Sequence, residues 1–99
     1  MIKSFADEET SDIYHGNKTA KARKRLDYSL WKIAYRKLDM LNRAKKLEDL
    51  RIPPGNKLEK LKHDLEGKWS IRINDQWRII FNWDDVDQGI SEVKIIDYH

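Results

Sequence analysis

The chain has 99 residues, 20 of them lysine or arginine and 17 aspartate or glutamate, for a formal net charge of +3. That length supports one domain with a single modest core and nothing layered on both sides. It contains no cysteine, which excludes disulfides and thiolate-bound metal and suits a reducing cytoplasm. MIKSFADEET lacks the apolar run of a signal peptide, and no stretch approaches a membrane span, so a cytoplasmic protein is expected. Charge is unevenly placed. Lys18 to Lys46, which includes Lys24, Arg25, Lys32, Arg36 and Arg43, holds eleven basic residues against Asp27 and Asp39, whereas the remainder is net acidic. Such asymmetry favours an anionic partner, nucleic acid first, although lysine-rich helix surfaces also serve solubility alone.

In chain order, Ile2–Phe5 reads as a short opening strand. Asp7–Tyr14 reads as a short helix with acids near its N-terminus, ended by Gly16 and Asn17. Thr19 then caps a long helix expected from Ala20 to Lys46. Leu26, Leu30, Ile33, Ala34, Leu38 and Leu41 form its apolar stripe, and Tyr28 and Trp31 either broaden it or stay partly exposed. Leu47–Leu50 adds a further turn before Pro53-Pro54-Gly55 breaks the pattern. Lys57–Lys62 (KLEKLK) borders the sheet with Leu58 and Leu61 as anchors, and His63–Gly67 turns the chain.

Trp69–Trp83 (WSIRINDQWRIIFNW) alternates apolar and polar residues with period two, the pattern of a half-buried hairpin. A two-residue loop at Asn74-Asp75 would pair Ile71 with Arg78 and put a charge on the apolar face. A three-residue loop over Asn74, Asp75 and Gln76 pairs Ile73 with Trp77, Ile71 with Ile79 and Trp69 with Phe81. The second register is therefore expected. It leaves Lys68, Ser70, Arg72, Arg78, Ile80 and Asn82 on the other face, where the two arginines lie opposite each other as a possible anion site. After an acidic turn, Ile90–Asp97 resumes strand character. The order predicts an α+β fold: a small antiparallel, mixed-edge sheet with two N-terminal helices on one face, forming a single domain over residues 1–99.

Phosphate loops, HExxH and GxSxG motifs are missing, and three scattered histidines do not make a zinc site. No metal or other cofactor is expected. What remains is a set of cations and acid/base groups: Glu59, Lys60, Lys62, His63, Arg72, Arg78, Asp97, Tyr98 and His99. This set fits metal-independent RNA cleavage. A base takes the ribose 2′-hydroxyl proton, an acid protonates the leaving 5′-oxygen, and cations hold the phosphorane. Histidine suits proton transfer, with a reference pKa of about 6.5. Arginine suits the phosphate through its paired donors.

The opening MIKSF, the segment EDLRIPPGNKLEKLKHDLEGKWSIRINDQWRIIF and the closing DYH resemble HigB-type toxins, the plasmid-maintenance killer proteins of the RelE/ParE superfamily. The resemblance spans nearly the whole chain. It implies a RelE-like, microbial-RNase-type fold and a ribosome-dependent messenger-RNA endonuclease acting in the A site of the ribosome. It also implies a HigA-type helix-turn-helix antitoxin, with operator DNA bound only through the toxin–antitoxin complex. By matching positions, Lys62 and Arg78 would hold the scissile phosphate, and His99 would transfer a proton. Tyr98 would stack on a base or assist that transfer, and Asp97 would orient neighbouring groups. Arg72 and Lys60 would add RNA contacts, and the basic segment with Arg25 and Arg36 would dock on ribosomal RNA. One position departs from the family: Glu59 stands where histidine often opens an HPLKG-like segment. Glu59 would then act as base, or His63 would supply an imidazole instead. The rival expectations are a ParE-like gyrase poison without catalysis and a small RNA-binding adaptor.

Overall fold

The computed structural model describes residues 1–98. Helices α1 (Glu8–His15), α2 (Ala20–Arg25) and α3 (Trp31–Arg43) precede strands β1 (Glu59–Lys60), β2 (Trp69–Arg72), β3 (Trp77–Asp84) and β4 (Gly89–Asp97). The strands form one antiparallel sheet in the order β1-β2-β3-β4. Ile2 and Phe5 add isolated parallel bridges to Ile90 and Val93, so the outer edge of β4 is partly covered. This is the α+β arrangement that the element order predicts.

Asp7 caps α1, accepting from the Thr10 amide at 2.9 Å, and Gly16 closes it with φ 74°, a left-handed conformation in which glycine carries no Cβ penalty. Thr19 caps α2 by accepting from the Ala22 amide. The single helix expected over residues 20–46 is corrected by the structure: it breaks after Arg25. Leu26 is extended, and Asp27 accepts from the Ser29 amide, starting a new turn that leads into α3. A local aspartate hydrogen bond thus competes with helix propagation. The indole of Trp31 donates to the Leu26 carbonyl at 2.9 Å and fixes the corner. The apolar stripe continues across the break because Leu26, Trp31, Ala34, Leu38 and Leu41 all reach the same core.

The hairpin has the expected register: Trp69 pairs with Phe81 and Ile71 with Ile79, and the Ile73 amide bonds the Trp77 carbonyl. Asn74 organises the three-residue loop by accepting from the amides of Gln76 and Trp77. In β4, Glu92 (φ 55°) lies within the register shift against β3. This bulge lets Ile90 and Val93, three positions apart, both face the core with Ile95. The core face of the sheet, Ile71, Ile79, Phe81, Val93 and Ile95, packs against Ile13, Leu26, Ala34, Leu38 and Leu41 of the helical layer. The opposite face is less open than alternation suggests, since Ser70 and Ile80 on it are both buried. Between the helices and β1, Asn56 is fully buried and donates to the Leu50 carbonyl at 3.1 Å, tying the proline loop down. No helix among the described residues is long and apolar enough to cross a membrane.

Candidate active site

Strand pairing assembles the site on the face away from the helices. Arg72 stands opposite Arg78, Ser70 opposite Ile80, and Glu59 of β1 opposite Ser70, so residues from three strands converge through two antiparallel pairings. Arg78 is the centre. Its side chain is only 14% exposed, and Nη1 donates to Ser70 Oγ at 3.0 Å and lies 3.1 Å from Glu59 Oε1. Its guanidinium lies 4.9 Å from the centroid of the Tyr98 ring, a cation–π contact. The Tyr98 amide donates to the Gln76 carbonyl at 2.8 Å, which anchors the chain beyond β4 beside the hairpin loop.

A cleft of about 310 Å³ adjoins this centre, lined by Glu59, Lys60, Leu61, Lys62, His63, Leu65 and Tyr98. Lys62 and His63 are exposed in it, and His63 adopts φ 60° at the start of a tight turn. The Lys60 ammonium lies over the Trp69 ring, 5.9 Å from its centroid. Glu59, Lys62 and Tyr98 thus line one cleft, and Glu59 and Tyr98 also contact Arg78. His99 lies outside the described residues.

Other expected site residues are engaged elsewhere or lie away from Arg78. Asp97 is in register with Trp77, on the opposite parity from Arg78, and accepts from Gln76 Nε2 at 3.1 Å. Arg72 is ion-paired with Asp75 of the hairpin loop. Arg36 is exposed on α3. Arg25, taken from the sequence as a basic contact for RNA, has its guanidinium held by Asp7, Glu9 and the Ile95 carbonyl. Those donors serve the fold.

Two participants escape the sequence reading. Ser70, a small polar residue on a face expected to be solvated, is buried and holds Arg78 in place. The signal for it lies in the hairpin register, which sets Ser70 on the same face as Arg72, the cross-strand partner of Arg78. Lys37, on α3, donates to Asn56 Oδ1 and feels the charges of Arg36 and Arg72. Burial, then the repulsion of those two guanidinium groups, lowers its pKa below the ordinary lysine value. Among the described residues no group of three histidine or carboxylate side chains is disposed to hold a metal ion.

A small antiparallel sheet with helices packed on one face is an α+β fold found in solved RelE-type toxins. The fold is shared with the toxin of the YoeB-YefM toxin–antitoxin complex from Staphylococcus aureus (TM-score 0.58, 24% identity, covering 100% of this chain and 95% of that one). It is shared also with YafQ from E. coli (TM-score 0.57, 16% identity, covering 98% and 91%). At the level of sequence, residues 3–99 match the family described as the RelE-like toxin of type II toxin–antitoxin system HigB. Toxin HigB-1 of Vibrio cholerae serotype O1 is 36% identical over 99 residues, covering 100% of this chain and 98% of that protein. The chain belongs to the HigB-like toxin family, the RelE-like toxins of type II toxin–antitoxin systems.

Proposed function

We propose that this toxin is a ribosome-dependent, metal-independent endonuclease of messenger RNA. The observation that carries the proposal is Arg78, nearly buried yet bordered by a cleft, with a carboxylate 3.1 Å from one of its nitrogens and an aromatic ring against its plane. A phosphate seated on Arg78 would be next to a proton acceptor and a stacking surface, the neighbourhood that in-line attack by a 2′-hydroxyl requires.

In this mechanism Glu59 accepts the 2′-hydroxyl proton as the 2′-oxygen attacks phosphorus. Arg78 and Lys62 hold the phosphorane charge, and the P–O5′ bond breaks as His99 protonates the leaving oxygen. The products are a 2′,3′-cyclic phosphate and a 5′-hydroxyl, so no water or metal enters the chemical step. Tyr98 stacks on the base beside the scissile bond, Asp97 orients the chain end, and Ser70 fixes the Arg78 fork. Lys60, Arg72 and Arg36 line the approach of the RNA backbone in the ribosomal A site, and the basic Lys18–Lys46 segment docks on ribosomal RNA. A HigA-type antitoxin restrains the toxin in the cytoplasm, and operator DNA is met only through that complex.

The test is cleavage in a translating extract, comparing the wild type with Arg78→Ala and with a deletion of His99. Fragments made only by the wild type, and only during translation, are expected. Growth arrest by all three forms without fragments would overturn the nuclease and favour a binding protein of the ParE kind.

A further inference from the structure

A second concavity lies on the helical layer and shares no residue with the Arg78 cleft. It encloses about 650 Å³ between the end of α1 and the start of α3. Ile13 and Trp31 are among its buried lining, the exposed rings of Tyr28 and Tyr35 flank it, and Lys18 and Lys32 bring positive charge. Among the described residues no carboxylate lines it. Tyr28 is 52% and Tyr35 47% exposed, an unusual outlay of aromatic surface for a chain of this size.

We propose that this groove receives an acidic amphipathic helix of a protein partner, with apolar side chains on the aromatic floor and carboxylates on Lys18 and Lys32. Charge complementarity sets the sign: the full charges that the described residues bring to the groove are cationic, and it lies largely within the strongly basic Lys18–Lys46 segment. Ring geometry favours protein over nucleic acid. Tyr35 is already stacked on Tyr14, with centroids 5.5 Å apart and planes 20° from parallel. Tyr28 leans on Trp31 at 5.1 Å and carries the Lys18 ammonium over its ring at the same distance. Base stacking needs open ring faces, and these rings already have faces engaged within the chain. What they present is an apolar trough with phenol edges, which suits aliphatic anchors spaced three and four residues apart on a helix.

That the partner is the antitoxin rests on the proposed pairing, so the experiment reads the pairing and the groove separately. The antitoxin encoded in the same operon is titrated calorimetrically into wild-type toxin, into Lys32→Glu/Tyr35→Ala and into Tyr28→Ser, with thermal unfolding as a check that each variant is folded. Wild-type binding tests the pairing, and the variants test the groove, whether or not the toxin cleaves RNA. The double variant is expected to bind the antitoxin about tenfold or more weakly, and Tyr28→Ser several-fold more weakly. Equal affinity in all three forms overturns the proposal. So does a loss confined to a single-stranded oligouridylate probe, since that would make the groove a nucleic-acid site.

Discussion

Arg25 and Arg78 are the same residue type at similar depth, 22% and 14% exposed, and both meet carboxylates. Their surroundings assign them opposite work. Arg25 faces two carboxylates, Asp7 and Glu9, each itself mostly buried, and bonds the Ile95 carbonyl, so it joins α1, α2 and β4 and has no charge to offer. Arg78 faces a single glutamate that is 47% exposed, a serine hydroxyl, the Lys57 carbonyl at 3.5 Å and a ring. An incoming phosphate can displace one water-accessible carboxylate, but it cannot displace two that are locked in the fold. Burial of an arginine therefore says little about its role; the number and exposure of its anions say more.

Three substitutions and a titration probe this contrast. The largest effect belongs to Arg78→Ala: cleavage in the translating extract should fall between about a hundredfold and a thousandfold, the cost of losing a cation placed on a developing charge. Its thermal midpoint should fall less than that of Arg25→Ala, because it strands one half-exposed carboxylate where Arg25→Ala strands two mostly buried ones. Glu59→Gln should separate binding from turnover. Cleavage falls about a hundredfold for want of the base, whereas affinity for a non-cleavable RNA rises about threefold as the competing charge disappears. Unchanged turnover would leave Glu59 as a charge partner only and move the base to another group. Arg25→Ala should do the reverse of Arg78→Ala. Stranding Asp7 and Glu9 costs about 2 kcal/mol, read as a fall of about 10 °C in the thermal midpoint, with cleavage per folded molecule intact.

The smallest effect is in acid. Burial pushes the Asp7 carboxyl upward, but hydrogen bonds from Thr10 and Arg25 and the Arg25 charge outweigh it, so its pKa lies below the usual 3.8. A carboxyl with a depressed folded pKa contributes stability that is present above the unfolded value and lost as pH falls through the folded one. Denaturant unfolding of wild type and Asp7→Asn should therefore show a stability gap that is constant from neutral pH down to about 4 and narrows in stronger acid. A gap that persists unchanged at the acid end would place the stabilisation elsewhere than in the ionised carboxylate.

Much of the hairpin is legible in the sequence, because period-two alternation leaves one register in which no charge enters the apolar face, and Asn74 supplies the turn. The pairing of Arg72 with Arg78 follows from that register. The break in the long helix escapes the same kind of reading for a physical reason. Its apolar stripe survives the corner at Leu26, so periodicity has nothing to report there, while the short-range bond from Ser29 to Asp27 decides the backbone. Arg25 reads as a surface cation because its partners are 16 to 70 residues away and come from two other elements. Ser70 and Ile80 read as solvated because alternation describes a sheet with one bare face, and here both are buried, Ser70 with the Arg78 guanidinium bonded to it. Glu59 stands out in the sequence only by its departure from the family pattern; its contact with Arg78 depends on the β1–β2 pairing, two residues long, which no periodicity announces.

The tie between the beginning of the chain and β4 has a consequence in time. Ile2 and Phe5 bridge to Ile90 and Val93, the Thr10 hydroxyl accepts the Ile95 amide, and Arg25 donates to the Ile95 carbonyl. The seat of the N-terminal helices on the sheet is thus completed only when β4 has been made, and closing so long a loop precedes any reward from these contacts. During synthesis the nascent chain holds its basic helices without a sheet to mount them on, and Tyr98 has not yet been added. The face that carries Arg78 is therefore complete only once the last strand and Tyr98 are in place.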